Sequence, residues 1–222
     1  TVTQGKLEGL ALSSVDFDGV ADYVNCSDIA AMDGATKFTL SAWVKRESAG
    51  DAVTIAKGPD TTHRFGPNFW TDGEVYLNVC DGGTTDGNFT SNDTNWHHII
   101  MVFDGAGSGN TGRLQGYLDG VAQTLSFNGT IPAATDSNSS TFQIGNSEGN
   151  SNTFSTGKIR DVRYYDYPLS ADQAASLYSG SYNVTPLHGW KMDEGHATAA
   201  LNNAVGAFED FGTATDADGQ GV

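Results

Sequence analysis

Short apolar runs recur along this chain, and clusters of Gly, Asn and Asp separate them. Runs such as FTLSAWV and EVYLNV alternate between apolar and polar residues. Strict alternation is typical of half-buried strands, whereas the spacing that marks an amphipathic helix is scarce here. The pattern therefore predicts an all-β fold built from many short strands. In FTLSAWV, Trp43 lies on the face opposite Phe38 and Leu40, which indicates that both faces of this strand are covered or that the second one lines a groove.

The charge balance excludes several classes of partner. The chain has 222 residues, with 27 acidic and 11 basic side chains and a net charge of −16. Nucleic-acid binding needs clustered Lys and Arg, and anionic membranes attract the same side chains. No apolar run approaches the ~20 residues of a membrane-spanning helix. We expect neither a nucleic-acid partner nor a membrane partner.

Two local signals predict specific elements. Asp119-Gly120 joins two alternating runs, and this dipeptide suits the positive-φ positions of a tight hairpin turn. Ser170 and Gln173 have the spacing of a capping box, which predicts a helix over 171–178 that ends at Gly180. The expected fold is thus strands throughout, with one short helix near the C-terminus.

The composition changes after Gly180, where the chain becomes rich in small, acidic and glycine residues. We predict a domain at 1–180 and a linker or docking segment at 181–222 that is cut from a longer modular chain. The alternative is that the segment packs as a last strand on the domain. Cys26 and Cys80 each end an apolar run, and either one disulfide or two buried thiols would fit.

An ordered series of segments resembles a known family. The series is VDFDGVADYV, FTLSAWVK, NWHHIIMVFDG, LQGYLDGV, FQIGNS and FSTGKIRDVRYYDYPLSADQ. It resembles the laminin-G-like (concanavalin A-like lectin/glucanase) jelly roll, in the variant of bacterial and phage surface proteins. The resemblance covers roughly residues 12–180 and implies a two-sheet antiparallel sandwich. Relatives hold sugar chains or protein ligands in a concave groove or in the loops at its rim.

The resemblance also implies one structural Ca2+ ion. The acid in KIRDVR that relatives use as a ligand corresponds to Asp161, and the first strand region would contribute at Asp16 and Asp18, mainly through carbonyl oxygens. The alternative is that Asp161 pairs with an arginine and that no ion is bound.

Sugar binding usually needs an aromatic platform with amide or carboxylate neighbours, and the segment from His63 to Asp81 supplies both. The candidate ligand-binding residues are Phe69, Trp70, Tyr76, Asn78 and Asp81, with His63 and Arg64 as polar loop residues. The alternative is that these aromatic residues fill the core, to which we assign Trp43 and Trp96.

Catalysis is not expected. Retaining glycosidases need two carboxyl groups about 5 Å apart. Glu74 and Asp81 merely bracket one strand at its two ends, so we predict no catalytic residues, although pairs across neighbouring strands stay open.

The sequence predicts a non-catalytic binding or adhesion module that recognises glycans or a protein surface. It would belong to a larger extracellular or phage virion protein, together with other modules of the same chain. One alternative is a structural capsid-decoration or tail-fibre domain without a sugar ligand. Another is a glycan-active hydrolase or lyase with an atypical site.

Overall fold

The computed structural model describes residues 14–148, 154–181, 184–192 and 214–215. The strands are β1 (Val15–Asp18), β2 (Tyr23–Asn25), β3 (Lys37–Arg46), β4 (Val53–Lys57), β5 (Phe65–Phe69), β6 (Glu74–Val79), β7 (Asp86–Thr90), β8 (His97–Asp104), β9 (Leu114–Leu118), β10 (Val121–Ala122), β11 (Ser126–Asn128), β12 (Phe142–Ile144), β13 (Thr156–Tyr165), β14 (His188–Trp190) and β15 (Ala214–Thr215). The helices are α1 (Gly109–Arg113), α2 (Ala171–Tyr178) and a 3-10 turn at Ala30–Met32.

The strands form two antiparallel sheets. The seven-stranded sheet has the order β1-β13-β3-β8-β9-β10, with β14 also paired to β13. The eight-stranded sheet has the order β11-β7-β6-β5-β4-β12-β2-β15. The predicted two-sheet sandwich and its short helix near the C-terminus are confirmed. No helix within the described ranges is long and apolar enough to cross a bilayer.

The core lies between the two sheets and follows from the alternation in each strand. Phe38 and Leu40 of β3 face Leu77 of β6 and Ile144 of β12, and all four are at most 1% exposed. Burying aromatic and branched side chains from both inner faces supplies the main favourable term in folding. Cys26 and Cys80 are both buried and are not joined by a disulfide, which agrees with the alternative of two buried thiols.

The outer face of the seven-stranded sheet is covered by α2. Ile100 and Tyr117 of the sheet form a second apolar cluster with Leu169 and Leu177. The helix begins as predicted, because the Ser170 side chain accepts from the Gln173 amide and the Gln173 side chain accepts from the Ser170 amide. The capping box fixes the start of the helix, and packing of its apolar side on the sheet stabilises a helix too short to be stable alone.

The assignment of Trp43 and Trp96 to the core is wrong. Trp43 lies on the outer face, partly buried beneath Tyr178 with ring centroids 5.7 Å apart. The Arg160 guanidinium lies 5.2 Å from the Trp43 ring centroid and 4.3 Å from that of Trp96. The indication that the second face of β3 is covered is therefore confirmed, and α2 covers it.

The domain boundary predicted at residue 180 cuts through the sandwich. Strand β14 pairs with β13, opposite Val162 to Tyr164, and Trp190 and Met192 are fully buried in the core. Residues 184–192 therefore follow the alternative in which the segment packs as a further strand. That the chain belongs to a longer modular protein stays a prediction.

Candidate functional site

The outer face of the eight-stranded sheet is polar and carries most of the predicted ligand-binding residues. In β6, Val75, Leu77 and Val79 face the core, so Tyr76 and Asn78 face outward. In β5, Phe65 and Phe69 are buried in the core, so the same alternation directs Asn68 outward.

A row of mostly polar residues crosses this outer face at right angles to the strands. Its members, in order from β2 to β11, are Asn25, Gln143, Ala56, Gly66, Asn78, Asp86 and Asn128, and we call them the amide row. Ala56 lies opposite Gly66 because the pairs Thr54–Asn68 and Lys57–Phe65 fix the register on either side. The two smallest residues therefore stand at the middle of the row.

A second row runs beside the first, through Thr54, Asn68, Tyr76 and Asn88. The Thr54 hydroxyl donates to Asn68 Oδ1 at 2.8 Å. The Tyr76 hydroxyl donates to the Asp72 carboxylate at 2.7 Å, and this hydrogen bond, with smaller contributions from burial, raises the pKa of Tyr76 to about 12. The phenol is therefore held in a fixed position as a neutral group.

Phe69 does not belong to this surface, and its assignment as a ligand-binding residue is wrong. Its side chain is 2% exposed in the core, and the Arg46 guanidinium lies 5.4 Å from its ring centroid. Trp70 continues the alternation past the end of β5, where its amide donates to Glu74 O at 2.9 Å. Trp70 is partly exposed, on the same face as Tyr76 and Asn68.

Arg64 and Asp81 lie at the opposite end of these strands. The Cys80 amide donates to Arg64 O, which places the Arg64 side chain on the outer face in line with Asn68. Arg64 is 9% exposed, and Nη2 lies 3.4 Å from Asn78 Oδ1. Burial lowers the pKa of the Arg64 guanidinium, and the nearby Cys80 and Asp86 side chains partly offset this decrease. Asp81 follows β6 on an exposed turn.

Sequence reasoning missed several residues of this face, among them Asn68, Asp86 and Gln143, which are all at least 95% buried. Their strands read as FGPNF, DGNFT and FQI, and in each the polar residue alternates with a core residue. That alternation was a usable signal. The register that brings the three residues together is set by long-range pairing and is not visible in any one segment.

The predicted calcium ligands each have another partner. Asp161 Oδ1 accepts from Arg163 Nε at 2.7 Å, and Asp16 pairs with Lys158. Asp18 Oδ1 accepts from the Val20 amide at 2.8 Å. In the part of the chain that the structure describes, no three His, Cys, Asp or Glu side chains are grouped so that they could hold a metal ion. Asp161 has a φ of +52° at a bulge in β13, a strained conformation for a non-glycine residue.

Calcium binding at Asp161, Asp16 and Asp18 stays a prediction. If the ion binds the folded state alone, Ca2+ at 100 times its Kd stabilises the protein by about 2.7 kcal/mol, and the melting temperature rises. Melting curves with Ca2+ and with a chelator measure this difference, which Asp161→Ala is expected to remove. Identical curves for the wild type would show that the Asp161–Arg163 pair replaces the ion.

Comparison with known proteins identifies the fold. A family model described as "Concanavalin A-like lectin/glucanases superfamily" matches residues 18–175. No curated protein matches the chain in sequence.

Three solved structures illustrate the likeness. The CBM40 of a Ruminococcus gnavus IT-sialidase, bound to α2,3 sialyllactose, has a TM-score of 0.57 at 10% identity, with 75% of this chain and 96% of that one covered. A native heptameric SAP-like pentraxin from Limulus polyphemus has a TM-score of 0.52 at 14% identity, with 74% and 81% covered. Domains LG4-5 of the mouse laminin α1 chain have a TM-score of 0.51 at 13% identity, with 71% and 44% covered. At these identities the likeness shows the fold alone.

Proposed function

Because the chain belongs to the concanavalin A-like lectin/glucanase superfamily, we propose that it is a non-catalytic module that binds glycans through the outer face of its eight-stranded sheet. The observation that carries this proposal is the placement of the partly exposed Trp70, Tyr76 and Asn88 on one face. A sugar ring offers a face for aromatic stacking and a rim of hydroxyls for amide groups, and both complements meet here.

The setting that we propose is a larger extracellular or virion surface protein, in which this module provides adhesion. The Ruminococcus gnavus CBM40, whose fold is similar, is a sugar-bound module of a sialidase. The alternative partner that we propose is a protein surface. Calcium, if bound, would stabilise the fold and would not contact the glycan.

The carboxylates on this face favour binding over hydrolysis. Glu74 Oε1 accepts from the Thr90 hydroxyl at 2.7 Å, and Asp72 accepts from Tyr76. Asp86 accepts from the amides of Asn88 and Asn128 at 3.3 and 3.4 Å. Each acid therefore already acts as an acceptor for a neighbouring side chain, whereas a general acid must carry a proton that it can give to the substrate.

Trp70→Ala tests the platform. We expect it to weaken glycan binding by about 2 kcal/mol, roughly 30-fold, because removing an aromatic anchor at a binding hot spot commonly costs this much. The melting temperature should change little, since Trp70 is only partly buried. The matched control is Trp96→Ala. It removes another partly buried tryptophan, which contacts Arg160 of the seven-stranded sheet, and it should leave glycan binding intact.

The measurements are a glycan array followed by calorimetric titration of the hits. If no glycan binds the wild type at millimolar concentration, the proposal fails and the structural-assembly alternative becomes the better account. Release of reducing ends from a bound polysaccharide would instead support the hydrolase alternative.

A further inference from the structure

A groove opens on the outer face of the seven-stranded sheet, opposite the face proposed above to bind glycans. Its volume is about 340 Å3, within the roughly 300–1,000 Å3 that is usual for small-ligand pockets. The cross-strand pair of Val102 in β8 and Gln115 in β9 forms its base. Both residues face outward, because the neighbouring pair of Phe103 and Leu114 lies in the core.

Two segments form the sides of this groove. The residues on the side of α2 are Pro168, Leu169, Ser170 and Gln173. This side is attached to β3, because the Leu169 amide donates to Thr39 Oγ1 at 3.0 Å. The end of α1 forms the other side with Gly112 and Arg113. The base and both sides therefore belong to ordered parts of the sandwich.

A guanidinium group and a carboxylate line the groove without pairing with each other. Asp104 ends β8 and Arg113 directly precedes β9, yet the ion pairs of the described residues include neither side chain. Arg113 Nη1 donates to Ile131 O at 2.7 Å and Nε donates to Gly107 O at 3.3 Å. Asp104 Oδ1 accepts from the Ala106 amide at 3.1 Å. Within the described residues, Arg113 Nη2 thus remains as a donor and Asp104 Oδ2 as an acceptor.

Two side-chain amides add further donors to the groove. Gln115 Oε1 accepts from the Tyr117 hydroxyl at 3.1 Å, and Gln173 Oε1 accepts from the Ser170 amide at 2.8 Å. In the part of the chain that the structure describes, both Nε2 groups remain to donate. Gln115 is exposed and the other three polar side chains are partly exposed, so a ligand in the groove can reach all four.

We propose that this groove is a second binding site, which takes one ring of a neutral saccharide. A sugar hydroxyl donates and accepts at once, so one hydroxyl can join the Asp104 carboxylate to the Arg113 guanidinium while its neighbours accept from the two glutamine amides. Val102 and Leu169 offer apolar surface to the ring carbons. An acidic sugar fits poorly, because its carboxylate would meet Asp104 on a chain of net charge −16. The site goes beyond the face proposed above and does not depend on it.

Asp104→Asn provides the first test, because asparagine keeps the oxygen that accepts from Ala106 and loses the carboxylate charge. We expect affinity at the groove to fall at least tenfold, since hydrogen bonds to charged groups are the stronger ones. The melting temperature should change little. The matched control is Asp51→Asn in the loop after β3, where the carboxylate accepts from the Ser48 amide away from the groove, and it should leave affinity unchanged.

Gln115→Met provides the second test, because it removes an amide donor from the base of the groove and keeps the length of the side chain. We expect a roughly tenfold loss of affinity, the effect of one lost hydrogen bond. Tyr117→Phe is the matched control. It breaks the same Tyr117–Gln115 hydrogen bond but leaves the amide in the groove, so affinity should be retained.

The probes are short β-1,4-glucan, β-1,3-glucan and mannan oligosaccharides, with alginate oligosaccharides as the acidic arm. The side-chain amide resonances of Gln115 and Gln173 should shift on titration, and these shifts give the Kd of the groove separately from that of the other face. The same Kd is expected in Trp70→Ala, in which the other face is impaired.

Each outcome decides between the two sites. No shift of the two amide resonances at millimolar oligosaccharide, or an unchanged Kd in both Asp104→Asn and Gln115→Met, would overturn the groove site. Shifts that disappear in Trp70→Ala would do the same and leave the proposed face standing. Tighter binding of alginate would overturn the ligand class. If Trp70→Ala binds every oligosaccharide like the wild type while the groove resonances shift, the groove stands and the proposed face fails.

Discussion

Trp190→Ala is expected to lower the free energy of unfolding by about 3–5 kcal/mol, the usual cost of truncating a buried tryptophan. Trp190 is 0% exposed and lies in the core, with its ring centroid 5.2 Å from that of Phe142. It also ends β14, where it pairs with Val162 across the sheet. The substitution therefore leaves a large cavity and loosens the last strand at the same time.

Urea denaturation monitored by circular dichroism measures this loss. Leu187→Ala is the control, because Leu187 is 36% exposed just before β14 and its truncation should cost well under half as much. A fragment that ends at residue 181 lacks β14 and should unfold without a cooperative transition. If that fragment melts like the full chain, then Trp190 contributes little and the sandwich is complete at residue 180.

The sequence predicts elements that depend on local chemistry. The Ser170 capping box and the helix over Ala171–Tyr178 are confirmed. At the hairpin, Asp119 and Gly120 have φ values of +52° and +77° between β9 and β10, as a tight turn requires. In both cases residues within one short segment determine the structure.

Elements that depend on distant pairing were missed. Strand β7 reads DGNFT, which is typical of a loop, and it becomes a strand because it lies between β6 and β11. Strand β14 was assigned to a linker, because a three-residue segment shows no periodicity of its own. Its place on β13 follows from the burial of Trp190, which only the assembled sandwich can provide.

The same distinction applies to the candidate site. Tyr76 and Asn78 could be chosen from the sequence since they alternate with Val75, Leu77 and Val79. Phe69 and Trp70 are adjacent and so must face opposite sides, but only the core contacts of Phe69 decide which one is outside. The part of the amide row from Gln143 to Gly66 spans three strands, and no single segment indicates it.

Lys57 presents the second large expected effect, because a buried ammonium group is costly unless it is paired. Its side chain is 0% exposed and lies 2.7 Å from Asp28 Oδ1, 2.6 Å from Asp33 Oδ1 and 2.9 Å from Asn138 O. The ammonium group thus ties the segment after β2 and the segment before β12 to the end of β4.

Lys57→Met is expected to destabilise the fold by about 3 kcal/mol, near the lower end of the range for breaking a buried ion pair, since Asp28 is 43% exposed and regains water. The matched control is Lys158→Met, whose pair with Asp16 lies on the surface and should be worth at most about 1 kcal/mol. Adding Asp33→Asn to Lys57→Met should recover part of the loss, because it removes the carboxylate left without its cation, and the double-mutant cycle measures that coupling. Urea midpoints for the wild type, Lys57→Met, Asp33→Asn, the double variant and Lys158→Met give the result. If Lys57→Met is as stable as the wild type, the apolar side chain replaces the ion pair without cost, and the two segments are held to β4 by packing instead.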